Sequence, residues 1–303
     1  MATAQLTPEA SALRADLTQV NGARRRKDRF MTWLIYGAFA LALIPLVSLV
    51  WSVLTNGLGR FDLYFLTHSM RNVYGGMDAG GVYHALLGTI LITAMTVIIS
   101  VPIGIITSIY LVEYGKGSLA RAVTFFVDVM TGIPSIVAGL FAFSLFYLLV
   151  GPQSMSGLTG AVALSVLMIP VVIRSTEEML RLVPNELREA SFALGVPKWL
   201  TIIRVVLRTA VAGITTGVMI AIARVIGETA PLLITVGIVA NVNWNPLEGR
   251  MTTLPVYVYR QYAQGGASVD RAWAGALTLI LIVMLLNLAA RLVSRYFSPK
   301  GAR

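Results

Sequence analysis

One stretch of the sequence places two opposite charges inside an apolar run. Arg224 and Glu228 lie in the segment Ala223 to Pro231, and Thr229 directly follows the acid. Residues four apart share one face of a helix, so the sequence predicts that Arg224 and Glu228 lie side by side and partly neutralise each other. If a membrane span begins near Thr209, Arg224 lies roughly 22 Å along it, far from either end.

The chemistry that these residue types support is reversible binding of an anion. A guanidinium suits an oxyanion because its fork donates two parallel hydrogen bonds and does not lose its proton. Glu228 would orient Arg224 and limit how tightly an anion binds, and Thr229 could donate a hydroxyl. We interpret the three residues as part of a substrate pathway; the alternative is a buried pair that only locks helix packing.

A polar connection from about 174 to 208 predicts two short helices. Ser175 and Glu178 have the spacing of a capping box, and Asn185 is placed to cap the second helix. Gly195 then provides a stop. The second helix is amphipathic, with Leu187, Ala190 and Leu194 on one face. This pattern alone is equally compatible with a helix that lies on a membrane surface.

Other signals for chemistry are missing. Gly115-Lys116 is followed by Gly117, not by the Ser or Thr of a phosphate-binding loop. His68 and His84 lack the spacing of metal ligands, and the chain has no cysteine. No nucleophile with a base is visible. We therefore expect a protein that is not an enzyme and that binds no cofactor or metal itself.

The elements that must position these residues are membrane spans. Hydrophobic residues make up 56% of the 303-residue chain and charged residues 13%, and the mean hydropathy is +0.77. About 20 apolar residues cross a bilayer as a helix. The pattern predicts an all-α membrane protein with six spans, at about 32–54, 83–112, 125–150, 158–173, 209–239 and 273–293.

The basic residues predict an orientation. With the N-terminus in the cytoplasm, 18 of the 24 Lys and Arg residues fall on the cytoplasmic side and Arg224 alone lies within a span. The other five fall outside: Arg60, Arg71, Arg250, Arg260 and Arg271. Both termini are then cytoplasmic. The net charge of +10 flanks apolar runs, which favours a lipid bilayer as partner and not nucleic acid.

Two further expectations concern the third span. Asp128 is predicted to cap the start of that span or to pair with Arg121. The stretch from Gly132 to Gly139 contains Pro134, and it either opens the backbone towards a cavity or forms a packing kink.

The second predicted helix carries a resemblance. Glu189-Ala190-Ser191, three residues and Gly195 resemble the EAA loop of the permeases of ABC importers, with departures at Ser191 and at Arg208. In that family a short helix docks in a cleft of the ATP-hydrolysing subunit. The resemblance implies that the residues coupling this chain to an ATPase are Glu186, Glu189, Ala190, Ser191 and Gly195.

Three further motifs make the resemblance more specific. Arg224 to Pro231, Gly132 to Phe141 and Thr253 to Tyr257 resemble the A-type permease subunit of phosphate-specific ABC importers. The resemblance covers the chain from Tyr83 to the last span. In that family the intramembrane Arg and the nearby Glu are implicated in phosphate passage, and here they correspond to Arg224 and Glu228.

The resemblance implies a function, partners and a domain organisation. It predicts a permease of the ABC type I importer (MetI-like) architecture, which imports inorganic phosphate across a bacterial cell membrane. Its expected partners are a second permease in a heterodimer, two ATPase subunits that bind ATP and Mg²⁺, and an extracytoplasmic phosphate-binding protein. We expect a cytoplasmic segment 1–31, a first span 32–54, and a five-helix permease core 83–295 that includes a coupling loop 174–208. Two alternatives remain: a permease for sulfate or molybdate, and a stand-alone secondary transporter.

Overall fold

The computed structural model describes residues 22–74, 76–152 and 154–297 of the chain, and within these ranges every regular element is helical. The N-terminal expectations for residues 1–21 lie outside them. The helices are α1 Gly22–Gly57, α2 Leu63–Thr67, α3 Tyr83–Ile109, α4 Gly117–Thr131, α5 Ser135–Val150, α6 Gly157–Arg181, α7 Asn185–Ala193, α8 Lys198–Thr201, α9 Leu207–Ile226, α10 Ala230–Thr235, α11 Leu254–Gln264 and α12 Ser268–Phe297.

The described helices confirm an all-α membrane protein. Five helical stretches are long and apolar enough to cross a bilayer, and the α4–α5 pair brings the number to six if its two bent helices form one span. The chain divides into two units, one ending at Ser52 and the other beginning at Val53. All the geometry below belongs to the second unit.

The third predicted span, 125–150, is not one straight helix. Helix α4 ends at Thr131, α5 begins at Ser135, and their axes differ by 109°. Pro134 precedes α5 and has no backbone N–H to continue the ladder, while the Gly132 N–H donates to Val129 O at 3.1 Å. The predicted break is therefore a sharp bend between two helices.

The fourth span is longer than predicted, and the first short helix of the connection is absent. Helix α6 runs without interruption through Ser175 and Glu178 to Arg181, so the predicted capping box is wrong. Ser175 Oγ instead donates to Val172 O at 3.2 Å. Thr176 and Leu180 are completely buried, and this tertiary packing holds the segment helical beyond the limit of its apolar run.

The fifth span is shifted relative to the prediction of 209–239. A continuous helical stretch runs from Lys198 to Ile226, with a π-helical turn at Ile202–Val206 between α8 and α9. It ends at Gly227, and the short helix α10 follows. A second π-helical turn, Tyr110–Tyr114, continues the end of α3.

The main core lies around α6. Its buried side chains come from α3, α6, α9, α10 and α11, and they include Ile92, Leu164, Met168, Val172, Ala221, Leu232 and Val256. A buried hydrogen bond from Ser108 Oγ to Ile173 O, at 2.9 Å, also joins α3 to α6. These contacts fix α6 as the scaffold for the neighbouring helices.

Arg271, predicted as one of the outer cations, is buried. It is 1% exposed, and it donates from Nη1 to Met77 O at 2.6 Å and to Ala79 O at 3.1 Å. Its Nε donates to Gln261 Oε1 at 3.0 Å and its Nη2 to Ser268 Oγ at 2.7 Å. The guanidinium thus fastens the long connection before α3 to α11 and α12.

Candidate functional site

Arg224 lies in the last turn of α9, because that helix ends at Ile226. The prediction that Arg224 lies far from either end of its helix is therefore wrong. A cation at this position is favoured by the carbonyl groups that a helix leaves unpaired at its C-terminus. The Arg224 side chain is exposed on the surface of the chain.

Glu228 and Arg224 do not form the predicted pair. The helix ends between them, so the rule for residues four apart does not apply, and the Glu228 N–H donates to Val225 O at 3.1 Å in the closing turn. Among the described residues, no ion pair includes Arg224 or Glu228. Thr229 Oγ1 makes only a long contact, 3.5 Å, with Gly227 O. All three polar groups are available to a ligand.

A groove runs along the face of α9 that carries Arg224. Gly213, Gly217, Ile220 and Arg224 are spaced three or four residues apart and so share this face. The groove has a volume of about 340 Å³, and its lining residues are Ser175, Glu178, Met179, Ala212, Gly213, Thr216, Gly217 and Ile220. The groove lies between α6 and α9, is open to the surface and is lined mainly by apolar atoms. Arg224 is not among its lining residues and follows Ile220 by one helical turn of α9.

The structure brings two of the three motifs together. Gly139 of α5 packs against Pro231, which lies at the start of α10 just after Thr229. The third motif packs elsewhere: the N–H of Leu254, the first residue of α11, has no acceptor within its own helix and donates to Thr89 Oγ1 of α3 at 2.8 Å. The break at Gly132–Pro134 and the Arg224 segment are therefore joined through α5 and α10.

The predicted coupling helix exists as α7, Asn185–Ala193. The side chains of Glu186, Glu189 and Ala190 are exposed, whereas Ser191 is buried and its Oγ lies 2.8 Å from Thr201 Oγ1. Ser191 therefore holds α7 to α8, and its side chain is not exposed on the face that carries Glu186, Glu189 and Ala190.

The prediction is wrong for the start of α7 and correct for the turn that follows it. Its N-cap is Pro184, and Asn185 is the first helical residue without a capping bond, so the predicted Asn185 cap is wrong. Gly195 has φ of +75°, a left-handed conformation that favours glycine. The predicted turn after the helix is present. The apolar face formed by Leu187, Ala190 and Leu194 is exposed and not packed inside the chain.

Asp128 pairs with a residue that the sequence did not suggest. Its carboxylate forms an ion pair with Arg174 of α6, whereas Arg121 only contacts its own helix through Gly117 O. Glu177, also on α6, accepts from Arg174 at 3.0 Å and from Arg181 at 2.6 Å. The cluster ties α4 to α6 beside the connection that leads to α7.

The sequence and the helical arrangement of this chain have counterparts among known proteins. Residues 100–302 match the model of the family "Binding-protein-dependent transport system inner membrane component". The chain belongs to this family. It is therefore a membrane transport component and not a catalytic subunit, as the sequence predicted.

Curated relatives confirm the more specific resemblance. The permease is 48% identical over 282 residues to phosphate transport system permease protein PstA 1 of Mycobacterium tuberculosis (strain ATCC 25618 / H37Rv), which covers 92% of this chain and 91% of the relative. It is 38% identical over 275 residues to the PstA protein of Yersinia pestis, with 89% and 90% covered.

Solved structures confirm the fold of the permease. A bacterial alginate ABC transporter, solved with a pentasaccharide-bound periplasmic protein, aligns with a TM-score of 0.60 at 15% identity, over 91% of this chain and 99% of that one. The MetNI methionine ABC transporter in an inward-facing conformation aligns with a TM-score of 0.58 at 22% identity, over 72% and 95%. The predicted MetI-like architecture is confirmed.

Sequence reasoning missed one contact of the permease that bears on coupling. Arg188 of α7 forms an ion pair with Glu113, in the π-helical turn that follows α3. The two residues are 75 positions apart, and neither belongs to the motifs that carried the resemblance. A charged residue within an otherwise exposed helix gave no local sign of a buried partner.

Proposed function

We propose that this permease forms the translocation pathway of an ATP-driven phosphate importer. The observation that carries the proposal is Arg224, an exposed guanidinium that forms no ion pair with a carboxylate among the described residues and lies one helical turn beyond Ile220, the last residue of α9 that lines the groove. Relatives at 48% and 38% identity are named phosphate transport system permeases. A guanidinium that is not neutralised by an internal acid can donate both arms of its fork to an oxyanion.

The roles of the three pathway residues follow from their positions. Arg224 binds phosphate transiently, Thr229 donates its hydroxyl, and Glu228 supplies a nearby negative charge that prevents binding from becoming too tight. Since Glu228 does not bond Arg224 in this conformation, it acts on the anion through charge repulsion and not by holding the guanidinium. Transport requires such a balance, because a site that binds too tightly does not release.

The pathway is completed by other subunits. We propose a heterodimer with a second permease against the open side of the α9 groove, two ATPase subunits that bind ATP and Mg²⁺, and an extracytoplasmic phosphate-binding protein. The exposed face of α7, with Glu186, Glu189 and Ala190, fits the docking role, and Gly195 provides the turn that presents it. Within this chain, we propose a cytoplasmic segment 1–31, a first span 32–54, and a five-helix permease core 83–295 that includes the coupling loop 174–208.

We propose that the permease lies in a bacterial cell membrane with both termini in the cytoplasm. The asymmetric distribution of Lys and Arg supports this orientation, and it places α7 on the side where ATP is available. Sulfate or molybdate permeases and secondary transporters would also use an intramembrane cation. The names of the relatives favour phosphate, and the exposed α7 favours a partner ATPase.

The decisive test is phosphate uptake into vesicles that contain the complete complex, with each partner withheld in turn. Uptake should require ATP and every partner, and sulfate should not compete. Arg224→Gln should reduce uptake by roughly tenfold or more, as expected for loss of a charged hydrogen-bonding group. Arg121→Gln, a matched change at an exposed Arg of α4, should have no effect. Normal uptake by the Arg224 variant, or uptake by this chain alone along an ion gradient, would refute the proposal.

A further inference from the structure

Helix α7 is attached to the rest of the permease through only a small part of its surface. Most of its side chains are exposed, and the two that turn inwards are Arg188 and Ser191. Ser191 contacts Thr201 of the adjacent α8. Arg188 instead contacts residues that lie much further away in the sequence, up to 75 positions from it.

Arg188 and Glu113 form a close ion pair in a protected position. The Nε and Nη2 atoms of Arg188 donate to the same oxygen, Glu113 Oε1, at 3.0 and 2.9 Å. The side chains are only 13% and 8% exposed. Burial reduces screening by water, and separation would leave a poorly hydrated charge on each side. The pair therefore resists opening when either helix moves.

The same guanidinium also binds the end of α6. Arg188 Nη1 donates to Val183 O at 2.6 Å, and Nη2 donates to Leu180 O at 3.0 Å. These carbonyl groups lie in and just beyond the last turn of α6, where a helix has no internal donors left. One side chain thus joins α7 to the ends of two long helices, α3 and α6.

A second cation, Lys198 of α8, contacts the same π-helical turn at the end of α3. Lys198, the first residue of α8, donates from Nζ to the backbone oxygen of Glu113 and lies 4.6 Å from the centre of the Tyr114 ring. The π-helical turn Tyr110–Tyr114 is therefore contacted from α7 and from α8. Such widened turns often occur at functional positions in helices.

From these contacts we propose that the Arg188–Glu113 ion pair transmits movement of α7 to α3, so that both are positioning residues of the coupling step. The inference rests on the proposed function, in which an ATPase moves α7. Force applied to the exposed face of α7 reaches α3 and α6 through Arg188, and it reaches α9 through α8. Without the pair, α7 follows the ATPase while α3 stays behind.

The first test measures phosphate transported per ATP hydrolysed by the reconstituted complex. Arg188→Gln and Glu113→Gln should each lower this ratio by roughly fivefold or more, while the ATPase subunits remain bound. The double variant should be no worse than either single variant, because both remove the same link. Arg204→Gln, at an exposed Arg of the neighbouring π-helical turn, is the matched control and should leave the ratio unchanged.

The second test does not depend on how well the variants fold. The chain has no cysteine, so spin labels can be placed specifically at Phe192 on α7 and at Lys116, two residues after the π-helical turn that continues α3. With Arg188 and Glu113 intact, the distance between the labels should stay constant between the nucleotide-free and ATP-trapped states.

The outcomes separate this inference from the proposed function. A label distance that changes between states with the pair intact, or variants with an unchanged transport ratio, would overturn the coupling role of Arg188. A wild-type complex that hydrolyses ATP without moving phosphate would instead overturn the proposed function. Lower complex abundance with an unchanged ratio would assign the pair to stability alone and also reject the inference.

Discussion

Gly139 of α5 lies so close to Pro231 that a Cβ atom at position 139 would come within 2.6 Å of Pro231 Cα. We therefore expect Gly139→Ala to force α5 and α10 apart, at a cost of about 1–3 kcal/mol for an overpacked contact. Because Pro231 follows the Glu228–Thr229 turn, phosphate uptake should fall as well. Thermal unfolding of the purified permease and vesicle uptake would measure the two effects.

The chain provides a matched control for Gly139. At Gly132, seven residues earlier, an added Cβ would meet only Val129 O at 3.5 Å, an ordinary contact, and the residue has helical φ of −90°. Gly132→Ala should therefore leave the unfolding temperature unchanged. Equal effects at the two positions would show that the proximity of Gly139 to Pro231 is not what matters.

The buried Arg271 should be important for stability. Arg271→Gln removes the donors to Met77 O and Ala79 O and leaves both carbonyl groups without their partner. We expect a loss of about 2–4 kcal/mol, since buried acceptors that lose a charged donor are costly. Arg260→Gln, at an exposed position nearby in sequence, should cost little. Thermal unfolding in detergent distinguishes the two, and comparable losses would contradict the anchoring role.

Much of the fold could be predicted because long apolar runs identify spans regardless of tertiary contacts. The helix α7 was also predictable, since Pro184 and Gly195 limit it locally. The continuation of α6 to Arg181 was not predictable. Ser175 and Glu178 carry the capping pattern of a new helix, yet Thr176 and Leu180 are buried against other helices and keep α6 continuous. Local preference was outweighed there by packing between residues far apart in sequence.

The candidate site shows the same limit. The sequence identified Arg224 as the exceptional charge, but the predicted pairing with Glu228 assumed a helix that continues past Gly227. The partners Arg174 for Asp128 and Glu113 for Arg188 lie 46 and 75 positions away. Such pairs depend on how α3, α4, α6 and α7 meet, which no single segment specifies.

The separation of Glu228 from Arg224 predicts the effect of neutralising the acid. Glu228→Gln should leave folding unchanged, because no ion pair is lost. It should lower the half-saturating phosphate concentration several-fold, since removal of one nearby negative charge in a partly buried site favours anion binding by roughly 1 kcal/mol or more. Uptake as a function of phosphate concentration tests this, with Glu248→Gln in an exposed loop as control. A destabilised variant with weaker phosphate binding would instead support the pairing that the sequence suggested.

Ser191 and Glu189 should behave differently although both belong to the EAA-like motif. Ser191 is buried against Thr201, so Ser191→Ala should destabilise the permease by about 1 kcal/mol, and Thr201→Ala should add little to it because the two hydroxyls share one bond. Glu189 is exposed, so Glu189→Ala should not affect folding but should weaken association with the ATPase. Thermal unfolding of the permease and co-purification of the ATPase separate these roles. If Ser191→Ala instead weakened association without any loss of stability, its side chain would have to face the partner, which is incompatible with its burial against α8.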